Sequence, residues 1–179
     1  MTALSWTMAR RGDMRHVLVM GICGTGKSSV AAGLAERSGR PFVEADDHHD
    51  EAAVARMARG EPLSDADRWG WLDRVAEAAD AAGPATVIAC SALKQVYRAR
   101  LARSLGALDI VHLTGPRDLI AARMAARPGH FMPVSLIDSQ LADLDPPSGP
   151  GVLSLPIDRP LLELIAAAET FTIRARHEA

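Results

Sequence analysis

The stretch Gly21-Ile22-Cys23-Gly24-Thr25-Gly26-Lys27-Ser28 constrains this chain more than any other. It follows an apolar run, Val17-Leu18-Val19-Met20, and leads into the helical-looking segment Ser29 to Glu36. The order strand, glycine loop, helix, with the spacing G-x-x-x-x-G-K-[ST], makes a phosphate-binding device. Glycines let the backbone curl into a nest of inward-pointing N–H groups. The following helix adds its free amides and the positive end of its dipole. Lys27 is placed to reach the outer phosphates, and Ser28 to set its hydroxyl on Mg²⁺. The candidate nucleotide-binding residues are therefore Gly21, Gly24, Thr25, Gly26, Lys27, Ser28 and Ser29.

At 179 residues and 48% hydrophobic content, the chain fits one domain with a sizeable core, or one domain with a small lid. A net charge of −2 gives no case for a nucleic-acid or membrane-surface protein. No apolar run approaches a membrane span, and Met1 to Arg15 lacks the apolar region of a secretory signal, so a cytoplasmic protein is expected. Two cysteines, Cys23 and Cys90, make neither a disulfide framework nor a zinc site. Lysine occurs only at Lys27 and Lys94, and every other basic residue is arginine. A compact, flexible ammonium kept at so few places makes Lys94 a second candidate.

Along the chain, strands are read at 17–20, 41–45, 86–90, 108–113 and 152–157, alternating with helical patterns. Ser64 caps a helix from about Asp65 to Ala82, and Pro116 opens another to about Arg127. Alternation of this kind implies an α/β fold, a parallel sheet with helices on both faces. The expected organisation is a flexible leader over 1–15, a single nucleotide-binding domain over 16–170 and a polar tail over 171–179. Within the domain, 46–82 reads as the acceptor side and 123–140 as a lid region.

A phosphate loop is shared by switches, motors and kinases. A guanine-reading Asn-Lys-x-Asp is excluded, because the chain contains no asparagine. Motor ATPases carry an acid after a second apolar strand, but the strand 87–90 ends in Ser91. The carboxylates follow the strand 41–45 instead, at Asp46 and Asp47, as in small kinases that set an acid beside the acceptor hydroxyl. Phosphoryl transfer also needs cations that arrive over the γ-phosphate and exclude water. Arg123 and Arg127, one helical turn apart, precede the proline-bounded loop containing His130 and suit a lid. The alternative for that pair is a solvated helix end, where cations are favoured.

These residues fall into a known pattern. The chain resembles the thermoresistant gluconokinases, small P-loop kinases related to the shikimate and nucleoside-monophosphate kinases. The resemblance rests on Gly21 to Ser28, Asp46 with His49, Met57 to Leu63 (Met-Ala-Arg-Gly-Glu-Pro-Leu) with Asp65, Asp67 and Arg68, and Trp71-Leu72. It continues through Cys90-Ser91-Ala92-Leu93-Lys94 with Tyr97-Arg98, Arg123 with Arg127, Gly129-His130-Phe131-Met132, Ser139-Gln140, and Asp158 with Pro160. It implies a P-loop-type, five-stranded parallel sheet with a lid, ATP and Mg²⁺, phosphorylation of gluconate at its 6-hydroxyl, and a homodimer. Departures cluster on the acceptor side: Glu44-Ala45-Asp46 for Asp-Gly-Asp, Asp50 for proline, Ala53 for asparagine and Gly70 for proline. A related sugar acid or polyol, or a nucleotide-binding regulator without acceptor chemistry, therefore stands beside gluconate kinase as an alternative.

Lys27, Asp46, Arg123 and Arg127 are assigned the catalytic roles. Asp46 would orient the acceptor hydroxyl and take its proton, or hold Mg²⁺ through water alongside Ser28. Its rival reading is a helix N-cap. His49, Arg68, Ser91, Lys94, Arg98 and His130 are the candidate contacts to a small sugar acid, Arg68 through a bidentate grip on its carboxylate. The rival for Arg68 is an ordinary salt bridge with Asp65 or Asp67. Asp158 is placed near the adenine by the resemblance alone.

Overall fold

The computed structural model describes residues 15–59, 61, 63–126 and 134–175. β1 (His16–Met20) is a continuous apolar run with every residue buried, as expected of a strand covered on both faces. It is followed by α1 (Lys27–Ser38), β2 (Phe42–Glu44), a 3₁₀ turn (Ala45–His48), α2 (Glu51–Ala58) and α3 (Asp65–Ala82). Then come β3 (Val87–Ala89), α4 (Gln95–Leu105), β4 (Leu108–Thr114), α5 (Arg117–Ala125), α6 (Val134–Asp143), β5 (Val152–Pro156) and α7 (Leu161–Ala175).

The five strands form one parallel sheet in the order β2-β3-β1-β4-β5. The expected α/β architecture is what forms. β1 splits the core by alternation: Val17 and Val19 pack on one face with α1 and α7, and Leu18 and Met20 pack on the other with α3 and α4. Because β1 is central, the chain leaves it toward β2 and β3 on one side and reaches β4 and β5 on the other. Ligands in open sheets of this kind bind beyond the carboxyl ends of the strands where the order reverses.

Local chemistry sets the helix ends. Gly39, at φ +64°, closes α1 by donating to Ala35 O and Glu36 O. Ser64 and Asp67 form a reciprocal capping box at the start of α3. The polar run after β2 forms a 3₁₀ turn. One expectation changes. The last helix runs to Ala175, through residues expected to belong to a tail, because Thr172 is buried and Phe171 packs on the core.

Candidate active site

Three loops meet at the carboxyl edge of the sheet: residues 21–28 after β1, 44–49 at the end of β2, and 90–94 after β3. In the first, Ile22 O accepts from Thr25 Oγ1 at 2.8 Å and from Lys27 Nζ at 3.1 Å. The Thr25 side chain is thus spent on shaping the loop. Gly21 has φ +153°, and a Cβ there would lie 2.7 Å from Leu113 O. Gly24 has φ +79°, and a Cβ there would lie 2.6 Å from Met124 Cγ. Both positions need glycine, for left-handed backbone and for close approach. Burial pushes Lys27 below its ordinary range, and the charges of Asp46, Cys23, Cys90 and Glu44 pull it back up.

Burial raises the Glu44 carboxyl above its usual range, and the neighbouring Ser28 side chain draws it part of the way back. Residue typing alone gave Glu44 no role beyond a departure from the family pattern; its meeting with Ser28 depends on β2 and β1 lying two strands apart in a sheet whose order the sequence does not state. Asp46 follows in the 3₁₀ turn, with its carboxylate 78% exposed and 4.0 Å from His49 Nε2. The His49 ring stacks on Trp71 with centroids 4.3 Å apart and planes 9° from parallel. Trp71 is fixed in turn by donating its indole N–H to Ala45 O at 2.7 Å. Burial lowers the His49 pKa, so the imidazole is neutral at pH 7. Arg74 on α3 donates to His48 O at 2.8 Å and braces the same turn.

On the acceptor side, Asp65 gathers the cations. Lys94 Nζ donates to Asp65 Oδ1 at 2.8 Å, Tyr97 donates its hydroxyl to the same oxygen at 2.5 Å, and Arg68 donates to the Tyr97 oxygen at 2.9 Å. Arg68 and Lys94 are thereby brought together through Tyr97 and Asp65, and Arg68 also lies 3.9 Å from Asp65 Oδ1, the rival ion pair expected for it. Hydrogen bonds from Lys94 and Tyr97 hold the Asp65 carboxyl below its usual range. Ser91 stands half-buried beside Ala92, a non-glycine residue at φ +38°.

Arg98 is a correction. It is buried, and its guanidinium donates to the carbonyls of Ala92, Leu93 and Asp145 at 2.7 to 3.0 Å. A guanidinium so engaged shapes the loop and is not presented to a ligand. A cleft also opens on the far side of the phosphate loop. It measures about 280 Å³ and is lined by Gly24, Gly26, Ser29, Arg123, Arg159 and Leu161, among others. Arg123 also donates to Ile157 O. Asp158 is exposed and does not line this cleft, whereas Arg159, given no role from the sequence, does. Arg127 and His130 lie outside the described residues. Among those residues no cluster of three or more His, Cys, Asp or Glu could hold a metal unaided. A divalent cation here would need phosphate oxygens and water besides Ser28, which is usual for Mg²⁺.

A family model described as an AAA domain matches residues 17–147. A probable gluconokinase of Mus musculus is 41% identical, covering 84% of this chain and 94% of that one. The gluconokinase of Gluconobacter oxydans is 45% identical over 74% of this chain and 76% of its own. The solved structure of a gluconokinase from Sinorhizobium meliloti superposes with a TM-score of 0.85 at 38% identity, covering 92% of this chain and 94% of that one. Sheet order, phosphate loop and the acids after β2 define a small P-loop kinase, a phosphotransferase acting with a nucleotide. Within that class, the chain belongs to the gluconokinase family.

Proposed function

We propose that this protein transfers the γ-phosphoryl group of ATP to the 6-hydroxyl of D-gluconate, giving 6-phosphogluconate and ADP. The observation that carries this is the phosphate loop holding Lys27 at the same sheet edge as the turn after β2 that presents the exposed Asp46 carboxylate, in a chain similar to gluconokinases. The loop amides and Lys27 neutralise the phosphates. Asp46 accepts the proton of the 6-hydroxyl as the new O–P bond forms and the bond to the β-phosphate oxygen breaks. His49, neutral and stacked on Trp71, flanks Asp46 and offers the substrate a polar edge. Arg68 and Lys94 take the carboxylate end of the acceptor, Ser91 a hydroxyl, and Arg123 with Arg159 the nucleotide. Mg²⁺ would be held by the Ser28 hydroxyl and phosphate oxygens, with Asp46 or Glu44 reached through water, and would neutralise charge on the transferring group. Arg127 and His130, the lid over 123–140, the homodimer and a cytoplasmic location belong to the same reading.

Two of the acceptor-side departures, Asp50 and Gly70, have local explanations. Asp50 caps α2 by accepting from Ala53 N at 2.8 Å. Gly70 is exposed, and a Cβ there would meet only Arg74, at 3.5 Å. A coupled assay of ADP release with gluconate and a panel of sugar acids and polyols tests the reading. Turnover with gluconate at the highest kcat/KM is expected; preference for another acceptor, or turnover with none, would refute it.

A further inference from the structure

Gln140 has no part in the chemistry above, yet it reaches into the phosphate loop. Its Oε1 accepts from the backbone N–H of Cys23 at 2.7 Å. The donor is an amide, so the side-chain atom facing it must be oxygen. Within the loop, Ile22 O accepts from Thr25 N, Thr25 Oγ1 and Lys27 Nζ. The Cys23 amide is the point at which a separate element, α6, takes hold of it.

The chain just beyond Gln140 is tied to the opposite half of the site. Asp143 lies 3.7 Å from Lys94 Nζ. Asp145 donates its N–H to Leu93 O at 3.0 Å and accepts from Gln95 N through Oδ2 at 2.9 Å. The second of these bonds caps α4, whose own N-cap residue, Lys94, makes no side-chain cap. Asp145 O also accepts from Arg98 at 2.8 Å. The end of α6 and the two residues after it therefore grip the nucleotide loop through Gln140 and the acceptor-side loop through Asp143 and Asp145.

We propose that Gln140 is a positioning residue for phosphoryl transfer: by holding the Cys23 amide, it sets the phosphate loop at a fixed distance from the Ser91–Lys94 loop. The inference rests on the kinase reading. In-line transfer depends on how closely donor and acceptor are aligned, and a displacement of about 1 Å can cost on the order of a hundredfold in rate. Each half-site would keep its own binding groups when the tie is cut. The loss should therefore fall on kcat and spare both KM values.

Gln140→Met keeps the length and bulk of the side chain and removes the oxygen, while Gln140→Glu keeps an acceptor. For the Met variant we expect kcat to fall about tenfold or more, with KM for ATP and for gluconate each within about threefold. The Cys23 amide proton should move upfield in ¹H–¹⁵N spectra of the substrate-free protein. The Glu variant should hold the Cys23 resonance and most of kcat, with a raised KM for ATP from its added charge. A Met variant with wild-type kcat, a loss carried entirely by KM, or an unmoved Cys23 resonance would overturn the role of Gln140. Absence of wild-type turnover with any sugar acid would strike the acceptor reading instead, while the Cys23 resonance would still decide the contact.

Discussion

Lys27 occupies a place that works against its own charge. Burial disfavours its ammonium, and the charges of Asp46 and Glu44 favour it. A triphosphate entering the nest supplies the missing countercharge, so charge stabilisation in the transition state should hinge on this side chain. Lys27→Ala is expected to lower kcat by roughly a thousandfold or more, read in the coupled assay. Retention of near-normal turnover would remove its role. Asp46→Asn should lower kcat by about a hundredfold or more, with the Kd for a non-hydrolysable ATP analogue within about threefold. A large change in that Kd with kcat preserved would make Asp46 a nucleotide ligand only. These two residues were legible because spacing and strand-end position identify them. Glu44, Tyr97 and Arg159 were not. Glu44 and Tyr97 acquire their neighbours, and Arg159 its place along the cleft, only when elements apart in sequence come together, and residue type alone gives no sign of that.

Arg98 shows how an element, not a ligand, can claim a functional-looking side chain. It lies on the first turn of α4, one turn past Lys94, which is where a second substrate cation would be sought. Its donors are spent on the carbonyls of Ala92, Leu93 and Asp145, and they hold the β3–α4 loop against the segment after α6. Arg98→Met should cost about 2–4 kcal/mol in urea unfolding, since buried carbonyls lose their donors, while KM for the acceptor stays within about twofold. A large rise in that KM at unchanged stability would restore Arg98 to the substrate. Most elements were visible in the apolar periodicity and in caps such as Ser64. The end of α7 was not, because Phe171 and Thr172 sit in a polar-looking segment whose burial depends on packing.

For the molecule as a whole, burial of histidines sets the response to acid. His16 and His112 are buried in the sheet and His49 lies against Trp71, and burial lowers all three below the ordinary value of 6.5. Asp80 counters this at His16 and Arg40 adds to it; Arg98 adds to it at His112. Between the folded values and 6.5 the unfolded chain binds more protons than the native one, so stability rises with pH across that window. Glu44, raised from 4.5, acts in the opposite direction, one group against three. The urea midpoint should therefore fall steadily from pH 7.5 to 5.5, and His16→Gln should flatten that fall. A midpoint that holds or rises on acidification would contradict it. The parallel sheet, which sets the three loops at one edge, was legible from alternation alone, whereas the strand order, which makes them neighbours, was not. The central claim is that this edge joins a nucleotide's terminal phosphate to the far hydroxyl of a sugar acid. The most direct test is ³¹P NMR of wild-type protein with ATP, Mg²⁺ and ¹³C-labelled gluconate: the account predicts a phosphomonoester coupled to C6 growing in step with ADP, and ATP left intact, or phosphate esterified at another carbon, would contradict it.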